Sequence, residues 1–121
     1  MNVLQLWEDI RDESGLNNTP TNQAAFIRAV NSVVRDINNK LKPSTDISEI
    51  TEVTNVDLGV SSWHENAVLA GLRFYMQRAR VWAQDPDPES RGFYKIAMGE
   101  AMSGEIDNDD DMRTRTMSSG D

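Results

Sequence analysis

The run Asp85-Pro86-Asp87-Pro88 sets the strongest limit on how this chain can fold. Proline lacks the N–H needed for an i to i−4 bond and pushes the residue before it away from helical geometry, so a helix is expected to break there. Both flanks are helical in pattern. From Ser61 onward, Val68, Leu72, Tyr75, Ala79 and Trp82 make one apolar stripe at three-four spacing, flanked by Leu69, Met76 and Ala83. Asn66, Arg73, Gln77, Arg80 and Gln84 form a narrow polar line opposite. Trp63, Ala67, Phe74 and Val81 make a second apolar seam, about a right angle from the first by helix geometry. A helix with two seams needs two partners. After the prolines, Asp87 is placed to cap a new helix, Pro88 to take its first position and Glu89 to meet the positive end of its dipole. Phe93, Ile96 and Ala97, beside Tyr94, Met98 and Ala101, supply its apolar face. The expected unit, Ser61 to Met102, is a helical hairpin.

Upstream, Val3, Leu4, Leu6, Trp7 and Ile10 fit a short amphipathic helix that Gly15 would stop. Asn17-Asn18-Thr19-Pro20 reads as a loop, with Thr19 or Thr21 as cap for the helix that follows. From Asn22 to Leu41, the apolar residues Phe26, Ile27, Val30, Val33, Val34, Ile37 and Leu41 keep the three-four pattern. Lys40 and Lys42 suit its negative end, and Pro43 stops it. Between Ser44 and Ser61 the composition turns to β-branched residues and acids. Val56, Leu58 and Val60 alternate, Ile47, Ile50 and Val53 do so imperfectly, and Thr54-Asn55 marks a turn. This predicts a β-hairpin or an extended arm, which needs helices or a neighbouring subunit behind it. The expected fold is therefore all-α, a four-helix bundle with a small β-hairpin or extended arm between the second and third helices.

Charge and composition narrow the function. Net charge is −8, and half of it lies from Gly104 onward, where six acids face only Arg113 and Arg115. An acidic chain is poorly suited to gripping a phosphate backbone, because that grip depends on cations displacing counterions. Residues 1–103 are expected to form the helical domain. Residues 104–121, with few apolar side chains, are expected to be a flexible acidic tail. The absence of cysteine removes disulfide and thiolate chemistry. Neither a signal-peptide pattern nor a membrane-length apolar run occurs, so the chain is expected to be soluble and intracellular when made.

No catalytic set is expected. His64-Glu65 resembles the start of a helical zinc motif, but Val68 stands where the second ligand belongs and His64 is the sole histidine. Asp107, Asp109 and Asp111 alternate as in calcium loops, yet the loop's glycine and distal Glu are missing, and a solvated acidic tail is the simpler reading. Neither a nucleophile elbow nor a glycine-rich phosphate loop is present. No metal or cofactor is expected. Arg73, Arg78, Arg80, Arg91 and Lys95 put positive charge on the hairpin, read either as a solvated face with local ion pairs or as a surface for an acidic partner, including the tail of a neighbouring copy. The second seam exceeds what one small domain must bury, which points to protein contacts.

The order of parts resembles the head-tail connector (adaptor) proteins of tailed bacteriophages. Val56-Asp57-Leu58 stands where that family has a strand leading into a long helix rich in Ala, Leu and Tyr. Trp63 to Ala83 matches that helix, and Phe93-Tyr94 matches the aromatic pair of the helix after the turn. The resemblance spans most of residues 1–103. It implies a virion protein that forms a ring, usually of twelve copies, beneath the portal, extends the DNA channel and docks tail or neck components, after assembly in the host cytoplasm. DNA would pass through the lumen without specific binding, and no membrane is involved. On this reading Trp63, Ala67, Phe74 and Val81 are subunit-interface candidates. Ile106, Met112, Arg113, Arg115 and Met117 are portal-contact candidates on the C-terminal arm, and Ile47, Ile50 and Val53 are candidates for contact with neighbours or the tail. The acidic stretch Asp107 to Asp111 departs from an apolar docking arm. A competing reading is a small helical regulatory module, antitoxin-like, whose acidic tail covers a basic partner.

Overall fold

The computed structural model describes residues 1–43, 45–82 and 87–117, with side chains as far as residue 103. Four α-helices are present among them: α1 (Val3–Ser14), α2 (Pro20–Lys40), α3 (Glu65–Arg78) and α4 (Ser90–Met117), with a 3-10 turn at Ser62–His64 leading into α3. Each early boundary has a chemical cause. Asn2 caps α1 by accepting from the Gln5 N–H, and Gly15 ends it in the left-handed region at φ 77°. Thr19 caps α2 by accepting from the Asn22 N–H, with Pro20 in the first turn where its missing donor costs nothing. One continuous core joins all four helices: Leu6, Trp7 and Ile10 of α1, Phe26, Val30, Val33 and Ile37 of α2, Val68, Leu72 and Met76 of α3, and Tyr94, Ala97 and Met98 of α4. Trp7 packs on Phe26 at 5.0 Å between ring centroids. Helix α3 is central, packing on both α2 and α4.

Two expectations change. The first concerns where α3 stops. The helix closes at Arg78, well before Pro86. The Arg80 N–H bonds to the Gln77 carbonyl and the Val81 N–H to the Met76 carbonyl, while Arg80 sits at φ 61°. This is a Schellman ending with arginine where glycine is usual, and Val81 folds back against the core. The proline break was therefore not what ended the helix: the expected continuation through Ala79 and Trp82 does not form, while Ala83 and the turn at Asp85-Pro86 lie outside the described residues.

The second concerns the arm. No strand forms among the described residues between α2 and α3; the β-like sequence is an extended segment held by side chains. Asn38 donates to the Ile47 carbonyl and accepts from the Ile47 N–H, both at 2.9 Å. Asn31 does the same to Ile50, at 2.9 and 2.8 Å. Arg35, between them, pairs with Glu49 at 2.8 Å, a bond that raises the guanidinium pKa. Each asparagine gives the extended chain the donor and acceptor that a neighbouring strand would otherwise give. Further on, the Val3 N–H bonds to the Val56 carbonyl and the Leu58 N–H to the Met1 carbonyl, making an isolated bridge between Asn2 and Asp57. The hairpin prediction assumed that the alternating residues would pair with one another. Instead they are tied to α2 and to the N-terminus.

Candidate functional site

The best-organised polar group lies where α2, α3 and α4 meet. On α2, Asp36 and Lys40 are one turn apart and share a face. The Asp36 carboxylate accepts from the Tyr75 hydroxyl of α3 at 2.5 Å and from the Tyr94 hydroxyl of α4 at 2.8 Å, both on Oδ2. The Phe74 ring stacks on Tyr94, with centroids 5.8 Å apart and planes inclined by 27°. Gly71 makes the meeting possible. A Cβ there would lie 2.6 Å from Val33 Cγ2 and 2.8 Å from Tyr94 Cε1, so only a bare backbone lets the Tyr94 ring cross α3 at this level.

Burial, then the hydrogen bond to Asp36 and its charge, push the Tyr75 phenol up to about 12 and the Tyr94 phenol higher still. Both hydroxyls therefore stay protonated donors at neutral pH. With two phenols on one oxygen, Asp36 is a fixed acceptor that ties three helices together.

Around this knot opens a cleft of about 560 Å³ lined by Asp36, Phe74, Tyr75 and Tyr94 and by four cations, Lys40, Arg78, Arg91 and Lys95. The four cations are solvent-exposed. Arg78 lies 6.0 Å from the Phe74 ring centroid, but among the described residues none of the four makes an ion pair. A protein of net charge −8 thus gathers four positive charges about a single carboxylate. What such a surface does chemically is attract anions. Of the cations expected on the hairpin, Arg78, Arg91 and Lys95 converge here. Arg73 pairs instead with Glu13 of α1 at 2.8 Å, and Arg80 terminates α3. Lys40 and Asp36 were not foreseen as site residues; their spacing of four on the polar side of α2 was the available signal.

The other candidates are dispersed. Trp63 is exposed and lies edge-on to His64 at 6.0 Å, but Ala67 is wholly buried inside the subunit and has no surface to give a neighbour. Phe74 and Val81 are half-buried against the core. The four do not share one α-helical line, because the 3-10 turn takes Trp63 off that register and Val81 falls beyond the end of α3. Ile47 is likewise buried beneath its own clamp, whereas Ile50 and Val53 remain partly accessible. Ile106, Met112, Arg113, Arg115 and Met117 lie on α4, whose backbone continues as helix to Met117 where a flexible tail was expected; their side chains are outside those described. The exposed apolar surface falls elsewhere than expected. On α4, Phe93 is 50% and Ile96 59% exposed, one turn apart, on the outward side with Gly92 and Gly99. His64 is buried at the entrance to α3. Among the described residues no group of three or more His, Asp or Glu side chains converges as metal ligands. Nor is any helix among them long and apolar enough to cross a membrane. No protein-family model, curated protein or solved structure matches the chain.

Proposed function

We propose that this chain is a head-tail connector of a tailed bacteriophage, a four-helix-bundle subunit of a ring beneath the portal. The observation that carries the reading is the outward face of α4. Phe93 and Ile96 are left exposed on the same helix whose Tyr94 and Met98 are buried in the core. Exposed apolar residues adjoining small ones on one helix face suit a contact with a second copy. In the ring, this face and Trp63 meet the adjoining subunit, and Ile50 and Val53 lie toward neighbouring or tail proteins. The C-terminal part of α4, carrying Ile106, Met112, Arg113, Arg115 and Met117, reaches the portal. The protein's net negative charge suits a conduit through which DNA slides without being held. Twelve copies, no cofactor and residence in the virion at the head-tail interface complete the proposal.

The test is mass measurement of the purified protein with and without portal, joined to a search for the chain in virions. A ring on the portal supports the reading. A protein that forms no ring, ignores portal and is missing from virions sinks it, and would instead fit an antitoxin-like binding module. Ile96→Asp should leave the helical fold intact and abolish ring formation, since Ile96 is exposed in the subunit.

A further inference from the structure

We infer that the cationic cleft of one copy receives the acidic stretch Asp107–Asp111 of another. The cleft sets Lys40, Arg78, Arg91 and Lys95 around Asp36. Asp107, Asp109, Asp110 and Asp111 form the densest run of like charge in the sequence, and its sign is opposite. Charge complementarity of this kind orients partners and speeds their encounter more than it tightens the final complex.

The geometry makes the contact intermolecular. Arg91 and Lys95 belong to α4, and the same helix continues to Met117. At a rise of 1.5 Å per residue, Asp107 lies about 18 Å beyond Lys95 along the helix axis and Asp111 about 24 Å. As one continuous helix, α4 therefore carries the acidic stretch away from its own cleft. It presents that stretch at the far end of the subunit, where a second copy can take it. Cleft and stretch are different surfaces, so the association is head-to-tail, the type that closes into rings when the rotation between copies allows.

An acidic peptide suits the cleft better than a nucleic acid. The four cations form one local patch on a protein of net charge −8, and long-range repulsion opposes a polyanion that must extend past the patch. The contact deepens the connector reading by naming what one subunit gives the next, and it rests on that reading only for closure of the ring.

The experiment uses the full chain in three forms: wild type, a cleft variant (Arg91→Gln with Lys95→Gln) and a stretch variant (Asp109→Asn with Asp110→Asn and Asp111→Asn). Circular dichroism checks that each is folded, and sedimentation velocity reads self-association. Wild type should associate at low salt and weaken at least roughly tenfold between about 50 and 500 mM NaCl, as the Debye length shortens. Each variant alone should be monomeric. Mixed in equal amounts they should form dimers and stop there, because the cleft variant keeps an intact stretch, the stretch variant an intact cleft, and no further pair is competent.

Wild type that stays monomeric at low salt overturns the inference, as does a mixture that stays monomeric while wild type associates. Variants that associate as wild type does, with assembly insensitive to salt but lost in Ile96→Asp, overturn the inference and leave the connector reading standing. Failure of the connector reading would show differently, as salt-dependent association of a protein that neither binds portal nor enters virions.

Discussion

Replacing Gly71 by alanine adds one methyl group, and two opposed effects decide the outcome. In a helix interior Ala is favoured over Gly by about 1 kcal/mol, so on propensity alone the variant should be more stable. The added Cβ, however, lies 2.6 Å from Val33 on α2 and 2.8 Å from Tyr94 on α4, where ordinary contact begins near 3.4 Å. Val33 is fully buried and Tyr94 almost so. Both must retreat by roughly half an ångström or more within a close-packed interior. Overpacking of this kind costs about 1–3 kcal/mol, and pinning on both sides argues for the upper part of that range. The net expectation is a loss of about 2 kcal/mol.

Urea unfolding followed by circular dichroism at 222 nm should show the midpoint falling by about 1 M if m is near 2 kcal/mol/M. Gly99→Ala is the control. A Cβ at Gly99 meets nothing within 4 Å, so the same chemical change on α4 should raise stability by about 0.5–1 kcal/mol. Equal midpoints for wild type and Gly71→Ala, or a rise in both variants, would refute the argument that Gly71 is the notch seating Tyr94.

The two tyrosines of the chain are both bound to Asp36, so absorbance at 295 nm during alkaline titration reads this knot directly. Their folded pKa values lie above the unfolded value of 10. Their stabilising contribution is thus complete below pH 10 and is lost as pH rises toward about 12 through the Tyr75 transition, with Tyr94 later. A full tyrosinate signal at pH 10.5 in the still-folded protein would contradict the arrangement. Asn38→Asp keeps the acceptor for the Ile47 N–H but sets a carboxylate against the Ile47 carbonyl. It should cost about 1–3 kcal/mol and speed amide exchange in the arm, while α2 keeps its protection. Arg80→Gly relieves a left-handed non-glycine residue and should stabilise by about 0.5–1 kcal/mol in urea melts; no gain would mean that the arginine side chain offsets the strain.

Much of this architecture was legible because helices announce themselves locally. The caps at Thr19 and Gly15 and the three-four spacing along α2 are short-range signals, and each matches the boundary or face observed. What was not legible depended on distant partners. Val56 and Leu58 alternate as a strand would, but which backbone answers them is a tertiary matter, and it proved to be the N-terminal residues. The clamping role of Asn31 and Asn38 carries no sequence signal, since a side chain bonded to a peptide about ten or twenty residues away leaves no periodic trace. The end of α3 was misplaced because Arg80 tolerates a conformation usually marked by glycine. The cleft was half visible. Arg78, Arg91 and Lys95 stood out as charge on the hairpin, whereas Asp36 and Lys40 needed the packing of α2 on α3 to join them.

The two asparagine clamps also govern where the chain can change length. Seven residues of helix from Asn31 to Asn38 advance about 10.5 Å, and three residues of extended chain from Ile47 to Ile50 advance about 10 Å. The two spans match, so both clamps close together without stretching either element. An inserted or deleted residue between Ile47 and Ile50 would put one amide about 3 Å out of step and release that clamp. Additions before Ile47 or after Ile50 would leave both intact. Natural variation in arm length, and any engineered epitope or label, should therefore be accommodated outside that three-residue span.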